Sequence, residues 1–157
     1  MDIRLATKED STQVIFLWKK YLEETLKSGG VVLANDSNLG FFKRLFLWYA
    51  SDPGAGCTYL AWDKKIPLGV LIWGSAAGPG LQTKQGNVAI GWGSYVVLDW
   101  RRKGIASALR KQAAAYLASA GYDILSGSVD SSNAASVKSV FALGFETTST
   151  NVVLKLR

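Results

Sequence analysis

The stretch 88–112, VAIGWGSYVVLDWRRKGIASALRKQ, constrains the fold more than any other part of the chain. Residues 88–98 form a long apolar run, rich in glycine and β-branched residues, that predicts a strand open to close backbone approach. The run stops at Asp99, passes through Arg101, Arg102 and Lys103, and turns at Gly104. Ile105, Leu109, Ala113, Tyr116 and Leu117 then repeat at helical spacing, and Gly121 stands where a C-terminal cap belongs. YDILSGSV, 122–129, is again strand-like. Two strands bridged by a helix lie parallel, because only antiparallel neighbours can be joined by a tight turn.

The remaining chain hangs on that unit. DIRLAT, 2–7, reads as a first strand, and Thr7 with Asp10 resembles a capping box in which Asp stands for Glu. Val14, Leu17, Trp18, Tyr21 and Leu22 mark a helix to about residue 27. Residues 27–38 form a loop with a small apolar island, and Phe41, Phe42, Leu45, Phe46 and Tyr49 mark a second helix, broken by SDPGAG. CTYLAW and LGVLIWG, joined by DKKIP, predict a hairpin, and 75–87 a flexible loop. Asn133 caps a short helix that Gly144 ends, and 145–149 with 151–156 predict a closing hairpin. The order β-α-α-β-β-β-α-β-α-β-β gives one α/β domain over 1–157. Its sheet is mixed and mostly antiparallel, with a central parallel pair at about 88–98 and 122–129 and helices on both faces.

Composition removes several functions. There is no histidine, which excludes Ser-His-Asp and Cys-His catalysis and argues against a zinc or other metal site. One cysteine, Cys57, cannot form an internal disulfide, and no apolar run approaches a membrane span, so the cytoplasm is the expected compartment and no membrane partner is expected. The net charge of +6 suits a polyanionic partner, yet five basic residues fall between 101 and 111 and the rest are scattered. That distribution does not favour nucleic acid.

A strand, a basic turn and a helix start make an anion site. The first N–H groups of a helix lack partners inside it, and its dipole favours negative charge there. Gly104 removes a side chain where a phosphate would press on the backbone, and Ala106 keeps the next turn small. The alternative is a solvated helix start. Arginine and lysine beside the positive end of the dipole are unfavourable without an anion, which supports the site. No Walker loop is present, and neither GAGCTY nor GWGSYV completes a dinucleotide fingerprint.

VVLDWRRKGIASAL resembles the acetyl-CoA motif of the GCN5-related N-acetyltransferases: Arg or Gln, two residues, Gly, one residue, then Gly or Ala. Arg101, Gly104 and Ala106 match it. NAASVKSVFALGF resembles the family's next motif through Asn133, Ser136, Leu143, Gly144 and Phe145. The element order agrees from end to end. The resemblance implies that backbone N–H groups of Arg102, Lys103, Gly104, Ile105 and Ala106 hold the pyrophosphate of acetyl-CoA, with Arg101 on the rim. Val96 and Leu98 would pair with the pantetheine arm, and Asn133 and Ser136 would fix the coenzyme from the other side. It implies acetyl transfer to a primary amine of a small molecule or protein by direct attack in a ternary complex.

The sequence departs from the family twice. Strand 88–98 carries no carboxylate to act as base, and the position seven after Asn133, often a tyrosine acid, is Val140. Tyr95 and Ser94 are the candidate catalytic hydroxyls that remain near the slot. Asp36, Trp92 and Asp130 are candidates for the acceptor side. The missing base and acid also fit a non-catalytic module that binds an acyl-CoA or an amine. The closing strands or the aromatic helices offer faces for a homodimer.

Overall fold

A computed structural model of the chain describes residues 1–76, 81–83 and 86–148. Strand β1 (Asp2–Leu5) pairs antiparallel with β2 (Gly56–Asp63), and β2 with β3 (Ile66–Gly74). β3 pairs antiparallel with β5 (Gly86–Val96), and β6 (Ile124–Gly127) lies parallel to β5. The expected mixed sheet with one parallel pair is therefore present. The loop expected over 75–87 is not all loop: Leu81–Thr83 forms β4, paired antiparallel with Gly86–Val88. Gly and Pro in that segment suggest a turn, and only the tertiary neighbour β5 makes a strand of it. The closing hairpin depends on 149–157, outside the described residues.

Helices α1 (Ser11–Lys27) and α2 (Asp36–Ser51) cover one face of the sheet. Val14, Leu17, Trp18, Phe42, Phe46 and Tyr49 pack there against Leu60, Val70 and Ile72. Helix α3 (Ile105–Ser119) covers the other, setting Ile105, Leu109, Ala113 and Leu117 against Tyr59, Leu71 and Trp73. Helix α4 (Ala134–Phe141) lies beside α3. β2 and β3 are buried almost throughout, which is why they read as continuous apolar runs rather than alternating ones. No helix of the described residues is long and apolar enough to cross a membrane.

The capping box forms, and it does more than start a helix. The Thr7 N–H donates to Asp10 Oδ2 at 2.8 Å, and Arg4 grips both Asp10 oxygens at 2.7 and 2.8 Å. Asp10 is 7% exposed. The Arg4 guanidinium, then the Thr7 backbone, hold its carboxyl below the usual range despite burial. The carboxylate therefore stabilises the fold above the unfolded-state value near ~4, and this contribution is lost as pH falls through the depressed folded value. Asp10→Asn should cost about 2 kcal/mol at neutral pH by chemical denaturation, a gap that narrows below about pH 4.

β5 positions everything that follows. Ile72 pairs with Gly93 and Trp73 with Gly91, so Trp92 is the extra residue of a bulge. On the opposite edge the β6 pairing runs from Val88 to Gly91 and stops. Among the described residues no strand continues along that edge from Trp92 to Val96, so β5 and β6 part there.

Candidate active site

Two features meet at the end of β5. Arg102 has φ +61° and Gly104 φ +79°, and this left-handed pair swings the chain into α3. A Cβ built on Gly104 would meet nothing within 4 Å, so open space lies in front of the turn. Among the described residues the N–H groups of Arg102 to Ala106 have no hydrogen-bond acceptor; the first helical bond is from Ala108 N–H to the Gly104 carbonyl. Unsatisfied donors at a helix start, facing empty space, fit a pyrophosphate. Ile105 is buried beneath the turn and Ala106 partly so.

The basic cluster does not act as one patch. The Arg101 guanidinium is committed elsewhere: Nη2 donates to Glu24 Oε2 at 2.6 Å, Nε to the Val96 carbonyl at 2.8 Å, and its plane lies 5.4 Å from the Tyr95 ring centre. It ties α1 to the turn instead of lining the rim. Lys103 Nζ sits 4.4 Å over the Trp100 ring and, with Arg102, remains exposed beside the cradle. Arg110 is 7% exposed and faces inward.

The other expected residues separate by face. Val96 is buried against α3, and Leu98, in a short 3-10 turn, is 70% exposed. Tyr95 is buried in the cluster on the α1/α2 side, beneath Arg101. Ser94 points the opposite way and accepts from Arg110 Nη2 at 3.0 Å. Asn133 caps α4, accepting from the Ser136 N–H at 3.0 Å, and Ser136 Oγ lies 3.4 Å from Arg110. Asp130 spends Oδ1 on the Ser132 N–H and hydroxyl, an exposed turn contact. Asp36 is exposed at the first turn of α2, which Asn35 caps.

Trp92 is on the α1/α2 side. Its indole N–H donates to Tyr49 Oη at 3.0 Å, and its ring stacks edge-on with Phe41 at 5.9 Å and Phe42 at 6.2 Å. Phe41 is 42% exposed. Beside this aromatic wall lies a hydroxyl that the sequence reading did not single out. A Cβ on Gly93 would lie 2.6 Å from Tyr21 Oη, so Tyr21 reaches β5 at the bulge, where the strand separates from β6. Burial raises its pKa and keeps it protonated. Its helical spacing with Trp18 and Leu22 reads only as packing, and the missing side chain at Gly93 is the one signal for its approach. Cys57 is buried, its thiol pushed up to about 12, and so unreactive.

The model of the acetyltransferase (GNAT) family matches residues 34–145. No curated protein matches the chain. Among solved structures, the F44R mutant of the BH1408 protein from Bacillus halodurans superposes with a TM-score of 0.76 at 19% identity, covering 100% of both chains. AAC(6')-Iy, in complex with a bisubstrate analogue, CoA-S-monomethyl-acetylneamine, gives 0.71 at 19% identity, over 99% of this chain and 97% of that one. The aminoglycoside 6'-N-acetyltransferase AAC(6')-IG from Acinetobacter haemolyticus gives 0.71 at 19%, over 100% and 99%. With a strand that parts from its neighbour, a turn of free N–H groups and a family model spanning most of its length, the chain belongs to the GNAT acetyltransferase family.

Proposed function

We propose that the protein is an N-acetyltransferase that moves the acetyl group of acetyl-CoA to a primary amine in a ternary complex. The observation that carries this is the Gly104 turn, whose free N–H groups open onto the stretch of β5 that has left β6. Coenzyme A phosphates would sit on that turn, with Arg102 and Lys103 beside them. The arm would follow Val96 towards Ser94, and Asn133 with Ser136 would close the other side. A backbone N–H of β5 is the natural donor to the oxyanion.

The acceptor would enter from the α1/α2 side, past Trp92 and Phe41. That wall is aromatic. Of the carboxylates on α1 and α2, Glu24 is already paired with Arg101, Glu23 lies 4.0 Å from Lys19, and Asp36 stands at the start of α2. Such a face favours an amine with a flat apolar body over a polycation. The aminoglycoside acceptors of the structural relatives therefore do not transfer to this chain. Ser94 faces the donor side and Tyr95 the core, so of the two expected hydroxyls Ser94 is the better placed.

Calorimetric titration with acetyl-CoA tests the first half: micromolar binding is expected. A panel of amines read by thiol release tests the second, and arylalkyl amines should lead it. Tight binding with no turnover on any amine would favour the alternative, a sensor of acyl-CoA, to which the absence of a carboxylate on β5 gives weight.

A further inference from the structure

Two charged side chains are buried among the described residues, and only one is neutralised. Asp10 has Arg4. Arg110, also 7% exposed, has no carboxylate partner among the described residues. Residues 77–80, 84–85 and 149–157 contain no Asp or Glu to supply a side-chain one. What surrounds its guanidinium is serine: Ser139 Oγ at 2.5 Å, Ser94 Oγ at 3.0 Å and Ser136 Oγ at 3.4 Å. Burial without a counter-ion pushes its pKa down, though an arginine stays charged.

A hydroxyl that accepts from a guanidinium still has its own proton to give. Ser107 Oγ, 3.3 Å from Ser139 Oγ, adds a fourth hydroxyl, so the cluster is a cation ringed by O–H groups with protons in excess of acceptors, and its natural occupant is an anion. The place narrows the choice. Arg110 is six residues along α3 from Gly104, about 9 Å at the helical rise. Ser94 lies on the unpaired edge of β5, and Ser136 and Ser139 share a face of α4. On the proposed function, on which this inference rests, the neutral arm of acetyl-CoA runs through this point. The only negative charge that acetyl transfer creates at the sulfur end is the thiolate.

We propose that Arg110, with the hydroxyls of Ser94 and Ser139, holds the coenzyme A thiolate as it leaves. The amine nitrogen attacks the thioester carbon and a C–N bond forms. The tetrahedral intermediate collapses, the C–S bond breaks, and its electron pair stays on sulfur. The nitrogen's extra proton passes to water. α4 carries no tyrosine to protonate the sulfur, and with Arg110 in place none is needed.

The test titrates bound coenzyme A by the ultraviolet absorbance of its thiolate, in the wild type, Arg110→Lys and Arg110→Met, alongside turnover. In the wild type the bound thiol should ionise at least about one pH unit below free coenzyme A. Arg110→Met should return it to the free value and lower kcat about 100-fold, with Arg110→Lys between them and acetyl-CoA affinity retained. A wild-type bound thiol that ionises like free coenzyme A overturns the proposal, and that measurement needs no variant to fold. Preference for succinyl-CoA over acetyl-CoA, lost in Arg110→Met, would place the anion on the acyl group and overturn it too. A wild type that binds no coenzyme A removes the functional reading itself, and this inference with it.

Discussion

Gly104→Glu is expected to abolish coenzyme A binding while the protein stays folded. The backbone at Gly104 has φ +79°, so any side chain costs about 1–2 kcal/mol, too little to unfold a domain of this size. A Cβ there meets nothing within 4 Å, so the glutamate is housed without a clash. Its carboxylate then lies over the free N–H groups of the helix start and takes the place of the phosphates while repelling them. Calorimetry should show affinity reduced by more than about 100-fold, the worth of several charge-assisted hydrogen bonds. Circular dichroism should be unchanged. Gly104→Ala separates the two effects, because it carries the backbone strain without the charge. Unchanged binding in Gly104→Glu would remove the cradle from the cofactor site.

Gly93→Val should destabilise the protein by about 2–3 kcal/mol and abolish turnover. Gly93 has φ +152° at the β5 bulge, and a Cβ there would stand 2.6 Å from the Tyr21 hydroxyl and 2.7 Å from its ring carbon Cζ. Tyr21 cannot simply retreat, because its ring lies 4.8 Å from that of Trp18, which is 0% exposed. Thermal unfolding should fall by about 5–10 °C. Adding Tyr21→Ala should restore part of that loss, since the clash goes, without restoring activity if the bulge geometry is what matters. A Gly93→Val protein as stable as the wild type would mean that the bulge tolerates a side chain.

Most of the sheet was readable because apolar runs and glycine punctuation are local. Residues 88–98 and 122–129 became Gly86–Val96 and Ile124–Gly127, the same pair with shifted ends. β4 was not readable, since three residues become a strand only by pairing. Phe41 and Phe42 both mark α2 in the sequence, but adjacent residues on a helix point about 100° apart, and Phe42 takes the core position. The turn at Gly104 was legible because it needs a sequence motif and little else. The division of the basic cluster was not. Arg101, Lys103 and Arg110 are close in the chain, yet Glu24, Trp100 and three serines claim them separately. Arg110 did leave a trace: it follows Ala106 and precedes Ala113 and Leu117 at helical spacing, on the face that buries.

The bulge at Trp92 has a consequence for how this chain tolerates insertion and deletion. Side chains along a strand alternate, so each residue's face is a matter of parity. Past the bulge, Tyr95 packs with the α1/α2 cluster, while Ser94 turns to Arg110 and Val96 packs against α3. Trp92, an even number away from Ser94, nevertheless packs on the same side as Tyr95. The extra residue resets the count. A β5 that lost Gly91 would pair Trp92 with Trp73, turning its ring to the α3 side and stripping the α1/α2 side of its wall. At this point of the chain, a shift of one residue separates the surface proposed to meet the coenzyme from the surface proposed to meet the amine.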